Sequence, residues 1–480
     1  MRKLYWYFSA YVRKHGLVFV SSLVIALLTF WFFVPTLAQN LEVNRRYYIA
    51  VIGDYTLADL PPVIKHQLSV GLTELQEDGS AIPALSERWT TEQDNATFRF
   101  LIQDDLSWQD GEQVTPSSIQ YQFDDLETIY TPNDIVFNLP APYAPFPTLV
   151  SEPILKSGTK DRLLFFSEPT LIGIGEYSIT GYERIGQQLK ELRIDGDGDR
   201  YIYRFYLTEQ DAVLAYKKGE VDIIPDLSRR YDIFDWSSTI AEEVQLQNSY
   251  LAIFFNNSDP NLTRNIRQGL SYALEKKNDG SRAIGPISPK SWAYLPGGKT
   301  YNLDIARGSE RMRAELPRNP LTFTLTTTSL FQQKAEQIKQ EWEAFGEQIA
   351  QDCQDDSDVT EKELCDNLLI SINIRVRNFP DTQNFQMLLV GQEIPADPDQ
   401  YSTWHSEQAT NFTNYNNTRI DTLLERGRQT LNQQDRTEIY QEFQQFFLED
   451  PPAVFLEYLP RYSVRRNSVT EPEIDFYHSI

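Results

Sequence analysis

The most informative local pattern lies in residues 84–123, ALSERWTTEQDNATFRFLIQDDLSWQDGEQVTPSSIQYQF. Within this stretch, residues 97–108 place Phe98, Phe100 and Ile102 at alternate positions. Alternation with a period of two is expected of a strand that buries one face and exposes the other. The pattern therefore predicts a half-buried strand.

The second half of the same stretch carries turn and helix signals. Asp110 and Gly111 form a pair that commonly reverses the chain. Thr115 supplies a helix-capping hydroxyl and Pro116 a suitable first helical residue, so a helix is predicted from about Pro116 to Leu126. Strand, turn and helix thus follow one another closely.

Similar signals recur along the chain. A strand is predicted from Arg46 to Gly53, and Thr208 begins a predicted helix that Gly219 ends. Further predicted helices carry apolar residues spaced three and four apart: one from Thr263 through Ile266, Leu270 and Ala273, one from Ala335 to Gly346, one capped by Thr418 with Asp421, and one from Asp435. This alternation of strands and helices is an α/β pattern.

Length and composition set limits on the class of protein. A chain of 480 residues is too long for one ordinary core, so two or three lobes are expected. Hydrophobic residues make up 41% and aromatic residues 13%, which is typical of a packed globular protein. The formal net charge of −24 repels nucleic acid, so a nucleic-acid-binding function is excluded.

The N-terminus contains an uncharged apolar run over residues 16–38, long enough to cross a ~30 Å hydrocarbon layer as a helix. Basic residues before the run place residues 1–15 in the cytoplasm: Arg2, Lys3, Arg13 and Lys14. A cleaved signal peptide ending at Thr36-Leu37-Ala38 is the alternative, although signal cores span only ~7–15 residues. The expected location is the cell membrane, single-pass, with everything after residue 40 outside the cytoplasm.

The two cysteines, Cys353 and Cys365, lie close together in an acidic segment. An oxidising location permits a disulfide, which is the favoured interpretation. A metal site using nearby carboxylates is the alternative, but two thiols without a histidine make a poor zinc set.

The sequence contains no complete motif for catalysis or metal binding. Three aspartates in residues 194–200, IDGDGDR, resemble half of a calcium loop, but Arg200 stands where the motif needs glycine. A hairpin turn between Leu192 and Tyr203 is therefore favoured. The sequence contains neither HExxH nor GxSxG. We expect no catalytic residues, no metal and no cofactor.

One irregular segment, GQEIPADPDQYSTWHSEQ at residues 391–408, combines aspartate-proline turns with Tyr401 and Trp404. Binding residues often collect on such loops. The sequence suggests an exposed Trp404 that could contact a ligand. The alternative, turn residues around one packed tryptophan, stays open.

The order of these motifs resembles the family 5 solute-binding proteins, the oligopeptide, dipeptide and nickel receptors of ABC importers. Residues 84–123 match the family signature at Leu85, Glu87, Trp89, Thr97, Phe98, Leu101, Trp108, Asp110, Gly111, Val114 and Thr115. Further elements follow in the family's order at 173–177, 215–222, 266–274, 397–404 and 415–424. The resemblance covers nearly all of the chain beyond residue 45.

This resemblance implies a type II periplasmic-binding-protein-like fold, with two lobes joined by a hinge and an additional domain. The implied boundaries are 45–57, 160–250 and 455–480 for the core of lobe 1, 58–159 for its additional domain, and 251–454 for lobe 2. It also implies a monomer that is not an enzyme, captures a peptide-like solute by lobe closure and delivers it to ABC permease subunits. A membrane-tethered sensor or scaffold, and a receptor for a metal chelate, haem or sugar, are the alternatives.

The resemblance further implies which residues contact the solute. In the peptide receptors, an aspartate three positions before the "DP" pair holds the ligand's amino group; here that position is Ile394. Either Glu393 or Asp397 substitutes, or the solute is not held by a free N-terminus. The candidate ligand contacts are Tyr55, Thr56, Leu57, Asp226, Glu393, Asp397, Tyr401 and Trp404.

Overall fold

The computed structural model describes residues 45–92, 96–163, 166–314, 316–356 and 362–477, with a few isolated positions between 6 and 26. The predicted cytoplasmic segment 1–15 and membrane helix 16–38 therefore lie almost entirely outside the described residues, and so does the alternative cleavage site at 36–38. Among the residues that are described, no helix is both long and apolar enough to cross a membrane.

The described chain contains both strands and helices, so the fold is mixed α/β, as predicted. The strands are β1 (Arg45–Ile52), β2 (Thr73–Leu75), β3 (Ala81–Pro83), β4 (Ser86–Thr91), β5 (Thr97–Ile102), β6 (Glu127–Tyr130), β7 (Asp134–Asn138), β8 (Lys156–Leu163), β9 (Phe166–Ile172), β10 (Ser178–Ile185), β11 (Gln188–Gly196), β12 (Asp199–Tyr206), β13 (Ile223–Leu227), β14 (Thr239–Val244), β15 (Ser249–Phe255), β16 (Leu321–Thr328), β17 (Ile370–Arg377), β18 (Met387–Glu393), β19 (Ala453–Tyr458) and β20 (Arg461–Arg466). The α-helices are α1 (Pro62–Leu68), α2 (Phe146–Leu149), α3 (Glu209–Lys218), α4 (Arg264–Tyr272), α5 (Ile305–Arg313), α6 (Gln332–Asp355), α7 (Tyr401–Trp404), α8 (Thr418–Gln429) and α9 (Gln433–Glu449).

Within the described ranges, a seven-stranded sheet has the order β10-β11-β12-β1-β13-β20-β14. β1 runs parallel to β12 and β13, whereas β20 runs antiparallel to β13. Tyr47 and Ile49 of β1 are buried in one cluster with Ile64 and Leu68 of α1. The predicted strand at 46–53 is therefore confirmed, because its alternate apolar residues bury one face of this sheet.

The aspartate-rich segment forms the β11–β12 hairpin, as predicted. Leu192 and Tyr203 are cross-strand partners in its antiparallel ladder. Asp195 accepts hydrogen bonds from the Nε and Nη2 atoms of Arg200 at 2.8 and 2.6 Å. Asp199 is also engaged in an ion pair. The Asp195 carboxylate therefore stabilises the hairpin, and Asp199 joins the hairpin to β1 through Arg45.

A five-stranded sheet in the described chain has the order β17-β16-β18-β15-β19. Every residue of β15 is buried, because both faces of this sheet are covered. Leu251 and Ile253 pack in a core with α4 and α6. Tyr250 and Phe254 point the other way and pack in a core with α8 and α9.

In the part of the chain that the structure describes, two short crossovers connect the two sheets. Residues 245–248 lead from β14 to β15, and residues 459–460 lead back from β19 to β20. They lie side by side, since the Leu459 N–H donates to the Ser249 carbonyl at 2.9 Å. Val244 and Arg461 are paired across the strands that flank them. Both connections therefore sit at one edge of the seven-stranded sheet.

A four-stranded sheet, β4-β5-β7-β6, is built by the signature segment and the residues after it. Phe98, Phe100 and Ile102 of β5 are buried, which confirms the predicted half-buried strand. Aromatic rings fill this core; the ring centres of Phe98 and Phe146, for example, are 5.0 Å apart. Such pairs contribute beyond the apolar area that they bury.

The predicted helix from Pro116 to Leu126 is wrong. Only Pro116–Ser118 is helical, as a single 3-10 turn. The Tyr121 hydroxyl donates to the Val150 carbonyl at 2.6 Å and accepts from the Leu72 N–H at 3.0 Å. These long-range bonds pull the segment into an extended path, which overrides its local helical signals.

The predicted end of a helix at Gly346 is also wrong, because α6 continues to Asp355. Gly346 lies against β17, where an added Cβ atom would come within 2.6 Å of the Ile370 nitrogen. The glycine thus permits close packing of helix on strand and does not cap the helix.

Helix caps follow the predictions in part. Thr208 Oγ1 accepts from the Asp211 N–H at 3.2 Å, and Gly219 ends α3 with a φ of +77°, as expected. The capping residue of α8 is Asn417, not the predicted Thr418. At the far end of α6, Cys353 is disulfide-bonded to Cys365, with the Cα atoms 5.6 Å apart.

Candidate ligand site at the sheet crossover

The candidate site lies where the parallel strands β1 and β13 end. Ligands of open α/β sheets bind beyond the carboxyl ends of the strands, where the loops leave space. Tyr55 follows β1, and Asp226 lies near the end of β13. Arg461 begins the antiparallel neighbour β20, so the topology brings all three residues to the same edge.

Asp226 occupies an irregular position in its strand. The β13–β20 pairing shifts register between Ile224 and Leu227, as at a β-bulge. Bulges redirect side chains and are frequent beside functional sites. The Tyr477 hydroxyl donates to the carbonyl of Pro225 at 2.5 Å and so fixes the bulged backbone.

The pairing of Asp226 with Arg461 is incomplete. Arg461 Nη1 lies 3.5 Å from Asp226 Oδ1, yet this Oδ1 is buried without a hydrogen-bond partner among the described residues. The Nε atom of Arg461 is likewise buried and unpartnered in the described structure. The Asp226 side chain as a whole is nevertheless 42% exposed, so the exposed part of the side chain lies away from the buried Oδ1.

The electrostatic environment of Asp226 is short of positive charge. Burial raises the pKa of the Asp226 carboxyl; Arg461 lowers that pKa, and Glu209 raises it further. Burial also raises the pKa of Tyr55, and the negative charges of Asp59 and Asp226 add to this rise. The site therefore favours an incoming cationic group or a hydrogen-bond donor.

The predicted contact segment 55–57 is fixed beside this carboxylate. The Tyr55 carbonyl accepts from the Leu189 N–H at 2.8 Å. The centre of the Tyr55 ring lies 5.9 Å from that of the Phe205 ring. Thr56 forms an isolated bridge with β11, and Leu57 packs against the core of the seven-stranded sheet. Tyr55 is thus the member of this segment whose pKa is raised by the negative charge of Asp226.

Glu393 ends β18 directly opposite Ser249, which begins the neighbouring strand β15. Its side chain is exposed. The next residue, Ile394, donates its N–H to the Asn248 carbonyl at 2.7 Å and packs its side chain on the neighbouring core. Glu393 therefore lies at the same crossover but in solvent.

Asp397 is committed to a structural ion pair. Its two oxygens accept from Arg436 Nη2 and Nη1 at 2.7 and 3.1 Å, and Oδ1 also accepts from the Asp399 N–H. Both charged partners are buried. A solute amino group would have to displace Arg436, so Asp397 is a poor substitute for the missing aspartate at Ile394.

The expectation of an exposed Trp404 is wrong. Its side chain has no exposed surface and packs against Phe447 and Phe254, at ring-centre distances of 4.8 and 6.1 Å. Tyr401 is partly buried and stacks on His405, with ring centres 4.2 Å apart. Aromatic packing accounts for the burial of Trp404, whereas the ligand contact predicted for Tyr401 stays a prediction.

A separate cavity of about 490 Å³ lies between the four-stranded sheet and the core that contains α8 and α9. Trp89, Trp292, Asp397 and Arg436 are among its lining residues. The charged groups Asp397 and Arg436 already bind each other, so this cavity offers a ligand fewer free hydrogen-bonding groups than the crossover does.

Sequence reasoning missed Arg461, Glu209 and Tyr477. Arg461 directly follows the Leu459-Pro460 crossover, and a basic residue at the start of a strand after such a connection is the only local signal it offers. Glu209 and Tyr477 belong to distant segments, and only the fold brings them near Asp226.

Two α/β sheets joined by paired crossovers, with polar groups at the strand ends, define a periplasmic-binding-protein-like fold. Residues 80–397 match the family described as bacterial extracellular solute-binding proteins, family 5 Middle, and the chain belongs to this family. The sequence resemblance is therefore confirmed.

Individual relatives agree with this assignment. The probable D,D-dipeptide-binding periplasmic protein DdpA of Escherichia coli is 22% identical over 442 residues, covering 80% of each chain. The substrate-binding protein CtaP of Listeria monocytogenes superposes with a TM-score of 0.67 at 18% identity, covering 88% of this chain and 94% of CtaP. NikZ of Campylobacter jejuni, solved with Ni(L-His), gives 0.62 at 21% identity with the same coverage. At these identities, the structural likeness shows the fold.

Proposed function

We propose that this protein is the solute-binding component of an ABC importer and captures a peptide or peptide-like solute without chemical conversion. The observation that carries the proposal is the incompletely paired Asp226 and Arg461 at the crossover. A carboxylate and a guanidinium side by side match the donor and acceptor groups of a peptide main chain. The dipeptide named for DdpA supports the same class of solute.

Closure of two lobes around an extended solute would shield its backbone from water and strengthen each hydrogen bond to it. The crossovers at 245–248 and 459–460 are the hinge in this proposal, because they are the connections between the two large sheets. Delivery to permease subunits, and a monomeric state, belong to the same proposal.

The solute can be identified directly. Full-length protein purified in mild detergent should release peptides that mass spectrometry detects, and calorimetry should show binding of short alanine peptides. Ni(II) with L-histidine is the competing probe, since NikZ was solved with that chelate. Binding of the chelate without any peptide would replace the peptide assignment, and binding of neither would contradict both.

Membrane anchoring through residues 16–38 is part of the proposal. The uncharged apolar run and the basic residues before it support a single span with a cytoplasmic N-terminus. Full-length protein should stay in the membrane fraction after a high-salt wash, because an inserted helix is held by burial of apolar surface and not by charge. A mature N-terminus at Gln39, found by N-terminal sequencing, would show cleavage instead.

A further inference from the structure

Carboxylates near the crossover differ in what already binds them. Asp397 is bound through both oxygens by Arg436. Glu393 is exposed to solvent at the end of β18. Asp226 alone among these three combines a buried oxygen that lacks a hydrogen bond in the described structure with an accessible side chain.

The position of Asp226 is fixed by its surroundings. The register shift in β13 redirects its side chain, and Tyr477 holds the preceding carbonyl at Pro225. Leu227 then resumes the pairing with Tyr462. A carboxylate held on a strand is a more precise contact for a ligand than one on a mobile loop.

The charges that face Asp226 leave its own charge partly uncompensated. Arg461 contributes one positive charge at 3.5 Å without a hydrogen bond to Oδ1. Two further carboxylates add negative charge near the site: Glu209 raises the pKa of Asp226, and Asp59 raises the pKa of Tyr55. An ammonium group bound at the exposed part of the Asp226 side chain would supply the missing positive charge and charged hydrogen-bond donors.

We propose that Asp226 binds the free amino group of the solute and that the partly exposed guanidinium of Arg461 donates to the adjacent carbonyl. This inference rests on the proposed function and narrows it to solutes with a free amino terminus. The amino-group partner would thus have moved from the end of β18, where Ile394 now stands, to the end of β13.

The test compares an alanine tripeptide with its Nα-acetylated form by calorimetry, using full-length protein in detergent. Wild type should bind the free peptide at least tenfold more tightly. Asp226→Asn, nearly identical in shape, should reduce that preference to less than threefold by weakening the free peptide. Glu393→Gln is the matched control, since it removes a carboxylate at the same crossover, and it should keep the wild-type preference.

Asp226→Glu retains the charge and should keep most of the preference, which a purely structural role would not predict. Equal binding of both peptides by wild type, or an unchanged preference in Asp226→Asn, would overturn the inference while leaving the proposed function intact. Loss of the preference in Glu393→Gln alone would assign the role to Glu393. Failure of wild type to bind either peptide would overturn both proposals.

Discussion

The guanidinium carbon of Arg428 lies 4.0 Å from the centre of the Tyr401 ring. The same guanidinium donates to Asp399 Oδ2 at 3.0 and 2.8 Å, and its carbon lies 5.1 Å from the Tyr143 ring centre. The Arg428 carbonyl accepts from the Ala144 N–H at 2.7 Å. Arg428 therefore joins α8 both to α7 and to the segment before α2.

Replacing Arg428 with glutamine should lower the free energy of unfolding by about 1–3 kcal/mol, because Asp399 is buried and would lose its cation. Arg419→Gln is the matched control on the same helix. Arg419 also has an acidic partner and an aromatic contact, but its side chain is 56% exposed, so the loss should stay below about 1 kcal/mol. Urea unfolding of both variants measures the difference; equal losses would contradict the assignment.

Trp404→Ala should destabilise the protein by about 3–5 kcal/mol, because it leaves a cavity in a core with no exposed surface. Trp404→Phe should cost less and should leave solute affinity within about twofold of wild type, since the ring does not face the crossover. Trp236→Ala, at a tryptophan that is 46% exposed, is the stability control. A tenfold loss of affinity in a well-folded Trp404→Phe would restore a ligand-binding role.

Local sequence patterns predicted those elements that local interactions determine. Alternation identified β5, the turn chemistry identified the β11–β12 hairpin, and Thr208 with Gly219 bounded α3. Where a distant residue decides, the sequence predicted wrongly: Tyr121 binds Val150, and Gly346 packs on Ile370. A local sequence pattern cannot predict contacts between residues so far apart in the chain.

For the candidate site too, the sequence could not predict which distant residues come together. Resemblance to a family indicated Asp226 and the segment around Tyr55 as candidate ligand contacts. The exposure of Trp404 could not be predicted, since irregular segments contain buried and exposed aromatics alike. Arg461 joins Asp226 only through the pairing of β13 with β20, which is a property of the sheet topology.

Removing the disulfide with Cys353→Ala and Cys365→Ala together should lower the free energy of unfolding by roughly 2–3 kcal/mol. The bond closes a loop with a sequence separation of 12, and it stabilises the fold mainly by restricting the unfolded chain. Urea unfolding of wild type with and without a reductant should reproduce the loss, and the double variant should not respond to the reductant. Two maleimide-reactive thiols in folded, non-reduced wild type would contradict the bond.

The affinity for a free peptide should fall as the pH drops from 7 towards 4.5. Burial, aided by Glu209, raises the pKa of Asp226 above its ordinary value of 3.8, although Arg461 opposes the rise, so the carboxylate takes up a proton earlier on acidification. Protonation removes the charge that binds the ammonium. The same raised pKa has the opposite effect on folding: the folded state binds this proton more tightly than the unfolded state, so the contribution of Asp226 to stability increases as the pH falls through that window.

The other titratable groups facing Asp226 are Tyr55, Glu209, Arg461 and Tyr477. Burial raises the pKa of Tyr477 to about 12 and also raises that of Tyr55, so both tyrosines stay neutral between pH 7 and 4.5. Calorimetry at several pH values on wild type and Asp226→Asn isolates the contribution of Asp226, because a pH dependence caused by any other group would persist in the variant. Asp226→Asn should instead show a nearly constant affinity, and the acetylated peptide should show little pH dependence with either protein. A wild-type affinity that does not change between pH 7 and 4.5 would count against an ionised Asp226 as the amino-group partner.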